Sequence, residues 1–199
     1  MMLIEETTVP DSALPVDQFK LHLRQGTGFG DDTLQDAVLR GFLRASISAI
    51  EARTGKVLIS RSFSWSLTGW RDRSGQVLPV APVTALSEVK LIDALDQETV
   101  LPVSQFRLEM DSQRPKVKPV SAVLPMVPYN GSVQLRFIAG FAANWDGLPA
   151  DLGQAVLLLA AHYYEYRHET ALGDGCMPFG VTSLVQRYRN MRLAPGYGQ

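Results

Sequence analysis

The hydrophobic period changes twice along this chain, and those changes constrain the fold more than any other property of the sequence. From Asp32 to Thr54 apolar residues recur at helical spacing. Leu34, Val38, Phe42, Ala45 and Ala49 form one stripe, and Leu39, Leu43, Ile47 and Ile50 widen it. From Lys56 the period falls to two, with Val57, Ile59, Phe63, Trp65 and Leu67 on one face and Ser60, Ser62, Ser64 and Ser66 among the residues of the other. Near Leu148 it returns to helical spacing through Leu152, Val156, Leu159, Tyr163 and Tyr166. Each pattern needs its own partner: a helical stripe packs on another helix, and an alternating strand completes a ladder. The chain is therefore expected to be α+β, a small helical bundle with an inserted, mostly antiparallel β module and an extended C-terminal arm.

Local signals set the boundaries. Val16, Phe19 and Leu23 predict a short helix over 15–24, which Gly26, Gly28 and Gly30 interrupt. Asp31 or Asp32 can cap the helix over 32–54, and Gly55 occupies the place of a left-handed C-terminal cap. The β module spans 56–141. Its strand candidates are Val77–Val80, Glu88–Ile92, Thr99–Leu101 and Phe106–Met110, held short by prolines at 79, 82, 102, 115, 119, 125 and 128. Asn130-Gly131 is a hairpin signal leading into alternating Val133, Leu135 and Phe137. Pro149 and Asp151 suit the start of a helix over 150–169, and a last short helix is expected from Val181 to about Leu193. Residues 1–180 read as one body and 181–199 as an arm.

Composition narrows the function classes. Over 199 residues the formal net charge is −1, so bulk charge does not make this a nucleic-acid binder. Cys176 is the single cysteine, which excludes an intramolecular disulfide and suits a reducing compartment. The N-terminus carries Glu5 and Glu6 where a secretory signal needs base, and the longest apolar run, Ala155–Ala161, is far shorter than a membrane span. A cytosolic protein, or part of something assembled in the cytosol, is expected, with no membrane contact.

No recognisable catalytic constellation is present. His162, Glu165 and His168 stand three apart, whereas a zinc helix needs histidines at i and i+4, and no second Glu-x-x-His completes a di-iron site. Gly26-Thr27-Gly28-Phe29-Gly30 follows a helix instead of a strand and has no Lys-Ser/Thr after it, so it is not a phosphate loop. Gly-x-Ser-x-Gly is absent. Asp31-Asp32, and Asp93 with Asp96, are explained by capping and turn formation. The expectation is a non-enzyme with no cofactor and no metal. A small-ligand-binding α+β domain or a hydrolase is the alternative, requiring respectively a closed apolar pocket or a convergence of titratable groups.

The C-terminal stretch is distinctive. Beyond Asp174 it carries Arg187, Arg189 and Arg192 with no acidic side chain, interleaved with Tyr188 and Tyr197. Arginine and tyrosine are the residue types most enriched at binding hot spots.

The order of motifs along the chain resembles the head–tail connector (adaptor) proteins of long-tailed bacteriophages and of phage-like gene transfer particles. The matching pieces are Pro15-Val16 with Phe19-Lys20-x-His22-Leu23-Arg24; Asp31-Asp32-x-Leu34; Ala49-Ile50-Glu51-x-x-Thr54-Gly55-Lys56; Phe63-Ser64-Trp65-Ser66-Leu67 with Trp70; and Leu78-Pro79-Val80-Ala81-Pro82-Val83. Phe137-Ile138-Ala139-Gly140-Phe141, Leu148-Pro149 and Tyr164-Glu165-x-Arg167 carry it most strongly, followed by Pro178-x-Gly180-Val181-x-x-Leu184 and Tyr188-Arg189. Two departures stand out: His168 replaces an acid that often follows the family's tyrosine–glutamate–arginine motif, and the glycine-rich stretch replaces a short acidic loop.

The resemblance implies a structural protein of the virion or phage-like particle at the head–tail junction, assembled in the bacterial cytoplasm. It implies a homo-oligomeric ring of about twelve copies beneath the portal protein. Such a ring extends the DNA channel, lets DNA pass without specific binding, and presents a platform for the next tail component, a stopper or terminator. On that reading residues 181–199 dock on the portal, with Arg187, Tyr188, Arg189 and Arg192 as the contact residues.

Overall fold

A computed structural model describes residues 1–23, 33–167 and 177–189. Its elements in order are β1 (Met2–Glu5), α1 (Val16–His22), α2 (Thr33–Thr54), β2 (Arg61–Leu67), β3 (Gln76–Val77), β4 (Val83–Ile92), β5 (Glu98–Leu101), β6 (Phe106–Glu109), β7 (Lys116–Pro119), β8 (Ser132–Ala139), α3 (Ala150–Glu165) and α4 (Phe179–Val185). The α+β class expected from the sequence is the observed one. Helices gather in one layer and two antiparallel sheets form the rest. The larger sheet has the order β1-β2-β8-β4-β5 and the smaller β3-β7-β6.

The molecule has two apolar cores. In the helical core, Leu39, Leu43, Ile47 and Ile50 of α2 meet Leu152, Val156 and Leu159 of α3, with Phe19 of α1 and Val181 and Val185 of α4. The edge of the Phe42 ring meets Tyr164 across α2 and α3, at 6.0 Å and 86°. The β core joins Phe63, Trp65 and Leu67 of β2 to Val133, Leu135 and Phe137 of β8, with Phe106 and Val117 of the small sheet. Alternation on β8 is complete: Val133, Leu135, Phe137 and Ala139 are buried and the residues between them are half-buried.

The connection between the cores departs from the expected strand. Regular pairing of β2 begins at Arg61, and residues 56–59 make only isolated bridges, Lys56 with Ala81 and Ile59 with Ala142. Val57, Leu58 and Ile59 are all buried, because Val57 enters the β core while Leu58 and Ile59 enter the helical one. Period two cannot survive where a segment is enclosed on both sides. Gly55, at φ 68°, makes the left-handed turn out of α2 that the sequence called for. Gly140, at φ 147°, lies so close to Ser60 that a Cβ would stand 2.3 Å from its Cα, so only glycine fits.

Arg61 locks this junction. Its guanidinium donates from Nη2 to Glu51 Oε2 at 2.6 Å and from Nη1 to Glu51 Oε1 at 2.9 Å, while Nε lies 2.8 Å from Glu5 Oε1. Glu51 Oε1 also accepts from the Leu58 amide at 2.7 Å. Burial opposes the charge of Arg61 most strongly, but its hydrogen bonds and its attraction to Glu51 and Glu5 together hold the guanidinium above its ordinary pKa. Lys56 is buried beside this junction and donates from Nζ to Ser112 O and Gln113 Oε1, tying the end of α2 to the β6–β7 connection.

Several boundaries and faces differ from expectation. In α2 the core face is Leu39, Leu43, Ile47 and Ile50, whereas Val38 is 53% exposed and Ala45 is exposed. β4 begins at Val83, well before Glu88, since register shifts between Val83 and Ala85 and between Leu86 and Glu88 break its alternation. β1 and β7 pair fully although the sequence did not mark them as strands. Asn130, at φ 53°, and Gly131 do form a turn, closed by Gly131 N donating to Pro128 O. That turn is not a hairpin, because β8 pairs with β2 and β4 and not with β7. α3 stops at Glu165 with Tyr166 as its cap, and α4 ends at Val185, followed by a 3-10 turn over Gln186–Tyr188. Asp31, Asp32, the glycines at 26, 28 and 30, His168, Cys176 and Arg192 lie outside the described residues.

Candidate interaction surfaces

The C-terminal residues singled out from the sequence are brought to the N-terminus of α3. Tyr188 is 9% exposed, and its ring meets Phe141 edge-on at 5.7 Å and 83°. Its hydroxyl donates to Asp151 Oδ1 at 2.8 Å and accepts from Arg187 Nη2 at 2.6 Å. Arg187 Nε lies 2.8 Å from Asp151 Oδ2, and its guanidinium covers the Tyr188 ring at 4.8 Å. Burial is the main influence raising the Tyr188 phenol above its usual pKa, and the hydrogen bond to Asp151 adds to it.

The cluster has a local origin. Pro149 fixes the helix start, so Asp151 sits in the first turn of α3, where the helix dipole favours its charge. Val181 and Val185 anchor α4 in the helical core, and the 3-10 turn then swings Tyr188 under α3. Tyr188 therefore serves the fold from an interior position. Arg187 presents an exposed guanidinium already bound to Asp151, and Arg189 is exposed. Phe179, the first residue of α4, is 88% exposed, and sequence reasoning passed over it because Pro178 and Gly180 surround it with loop signals.

The remaining candidates separate. His162 packs its ring against Tyr166 at 4.7 Å, and its Nε2 is buried without a hydrogen-bond partner among the described residues. Among those residues no three His, Cys, Asp or Glu side chains gather as a metal site would require. Asp93 closes the β4–β5 turn by accepting from the Leu95 and Gln97 amides. Shallow grooves beside α2 are lined by Glu5, Ser48, Glu51 and Arg61, three of which form the ion-paired junction. Among the described residues no helix is long and apolar enough to cross a membrane.

This architecture recurs in solved particles. The chain is 50% identical to a protein in the neck of an empty gene transfer agent particle computed with C6 symmetry, covering 98% of this chain and 99% of that one with a TM-score of 0.89. A chain from the virion of a native gene transfer agent particle matches at 50% identity and a TM-score of 0.86, over 98% of this chain and 99% of that one. One from the neck of the native particle computed with C12 symmetry matches at 47% identity and a TM-score of 0.84, with the same coverage. No protein-family model matches the chain, and no curated protein does.

The class these findings define is that of the structural proteins of phage-like particles. Within it, the chain belongs to the neck proteins of gene transfer agent particles, in the head–tail connector family that its motif order resembles.

Proposed function

We propose that this protein is a head–tail adaptor: a ring of copies seated under the portal of a phage-like particle, extending the DNA channel and offering the next tail component, a stopper or terminator, its platform. The observation that carries the reading is likeness over 98% of the chain, at 50% identity, to a protein of a gene transfer agent neck. The symmetry of the neighbouring neck structures, C6 and C12, supports assembly as a closed ring. The role is structural, not enzymatic, and needs no cofactor or metal.

The portal contact is assigned to the exposed surface of α4 and the residues beyond it. Arg187, Arg189, Arg192 and the exposed ring of Phe179 are the contact residues, and Tyr188 holds Arg187 in place. Because Val181, Val185 and Tyr188 are built into the helical core, a clean test of the contact removes only residues 190–199 and adds the exposed-side-chain changes Phe179→Ser and Arg189→Ser. Electron microscopy of the purified protein mixed with portal rings should show a second ring stacked on the portal. The truncated chain should keep its melting temperature and lose portal binding at least tenfold. Wild-type protein that leaves portals bare overturns the adaptor reading, and undiminished binding by the truncated chain overturns the arm.

A further inference from the structure

We propose that the outward face of the small sheet β3-β7-β6 is a contact surface for the phosphate backbone of double-stranded DNA. Residues paired directly across antiparallel strands share a face. The register sets Arg107 opposite Lys118, Glu109 opposite Lys116 and Val77 opposite Lys116, so these side chains stand on one face. Phe106 and Val117 occupy the other, inside the β core. Turns adjoin the sheet, one before β3 carrying Arg71 and Arg73, whose Nη2 donates to Leu124 O, and the other, between β6 and β7, carrying Arg114.

The stretches 68–77 and 103–119 thus hold Arg71, Arg73, Arg107, Arg114, Lys116 and Lys118 against Asp72, Glu109 and Asp111, an excess of three positive charges in a chain of net charge −1. The acids are committed. Asp72 accepts from the Ser74 amide, Asp111 accepts from the amides of Gln113 and Arg114, and Glu109 pairs with Lys118. Among the described residues Arg71, Arg73, Arg107, Arg114 and Lys116 make no ion pair. Setting Arg107 directly opposite Lys118 costs stability in the isolated protein. A local conflict of that kind is expected where a surface serves function.

Geometry favours a polyelectrolyte over a protein partner. Lys116 and Lys118 are two residues apart on one strand, about 7 Å, and Arg107 lies one strand away at about 5 Å. This is a flat array of cations, with no exposed aromatic or large aliphatic side chain at its centre to serve as the anchor that protein interfaces use. Duplex DNA presents a dense and regular row of phosphates, and each contact releases a condensed counterion. The inference rests on the adaptor reading for the presence of DNA beside the protein.

The test is a fluorescence-anisotropy titration of a labelled 30-base-pair duplex of random sequence with the full chain, between 50 and 200 mM salt. Binding should be independent of sequence and fall steeply with salt. Arg107→Ser with Arg114→Ser should weaken it roughly tenfold at low salt and flatten the log–log salt slope by about two. Arg53→Ser with Arg167→Ser removes the same charge elsewhere and should change it by less than threefold. Equal losses in both double variants overturn the assignment, as does displacement of the duplex by poly-glutamate at equal charge. Stacking on portal rings is scored separately for Arg107→Ser/Arg114→Ser. Stacking with wild-type duplex affinity sinks this inference alone, whereas a wild-type protein that ignores portals sinks the adaptor reading.

Discussion

Arg61 on β2 and Glu51 on α2 face each other in a two-pronged ion pair, 2.6 Å and 2.9 Å between nitrogen and oxygen, with side chains only 7% and 12% exposed. The pair joins the helical layer to the sheet at the point where the chain passes between the two cores. Replacing Glu51 by Ala strands a buried guanidinium and frees the Leu58 amide. Loss of one partner of a buried pair costs about 3 kcal/mol. Urea denaturation of Glu51→Ala should show a loss of that order; a loss under about 1 kcal/mol would mean Glu5 alone holds Arg61.

Two glycines should respond oppositely to alanine. At Gly140 the new methyl meets the Ser60 backbone and φ is 147°, so Gly140→Ala is expected to cost about 3 kcal/mol or to abolish soluble expression. Gly41, within α2, has no neighbour within 4 Å of its would-be Cβ, so Gly41→Ala should stabilise by about 0.5–1 kcal/mol. Thermal melts of the two variants decide the matter, and a shared sign refutes the geometry at one of them.

The cluster at Asp151 predicts a graded series at Tyr188. Tyr188→Phe keeps the ring on Phe141 and loses the hydroxyl's bonds, costing about 1 kcal/mol. Tyr188→Ala also empties the site and should cost about 3–5 kcal/mol. Chemical denaturation that ranks the two variants equal would contradict the packing.

Acid should act through the loop between β6 and β7. Backbone hydrogen bonds from Arg114 and Gln113 hold the Asp111 carboxyl below its usual pKa, with a smaller contribution from Lys56 and Lys116. A depressed folded-state pKa gives stability that is present above the unfolded value, near 4, and lost as pH falls through the folded one. Asp111→Asn should therefore lower the melting temperature at pH 7, by an amount that shrinks as the pH falls below 4. A difference as large at pH 2.5 as at pH 7 would falsify that assignment.

Much of this architecture was legible in the residue order, and what was not has physical causes. α2 and α3 announced themselves because a 3.6-residue period over four to six turns has no competing explanation. The face of α2 that would be buried was not readable. The helix is apolar around much of its circumference, and α3 together with Leu58 and Ile59 chose Leu39 and Leu43 over Val38 and Ala45. β1 left no signal because Met2–Glu5 is an edge strand exposed along its whole length, so nothing in it needs to alternate. β7 hid behind Pro115 and Pro119, yet Pro119 falls at its last residue, where the ladder asks least of it. Residue type alone marks Arg187 and Tyr188 as binding residues. Sequence could not reveal that Asp151, dozens of residues away, already engages both.

The two-core layout bears on how the protein comes into being on the ribosome. Its β core draws on residues from Val57 to Ala139, one continuous stretch that can close as soon as β8 has emerged. The helical core waits, because α1 and α2 need α3 to cover them, and α3 in turn packs against α4 and Tyr188. Until α3 has emerged, the apolar stripe of α2 stays open to solvent in the nascent chain, a window in which chaperones or premature self-association compete with folding. Pulse-labelled hydrogen exchange during refolding should accordingly protect β8 amides before those of α2.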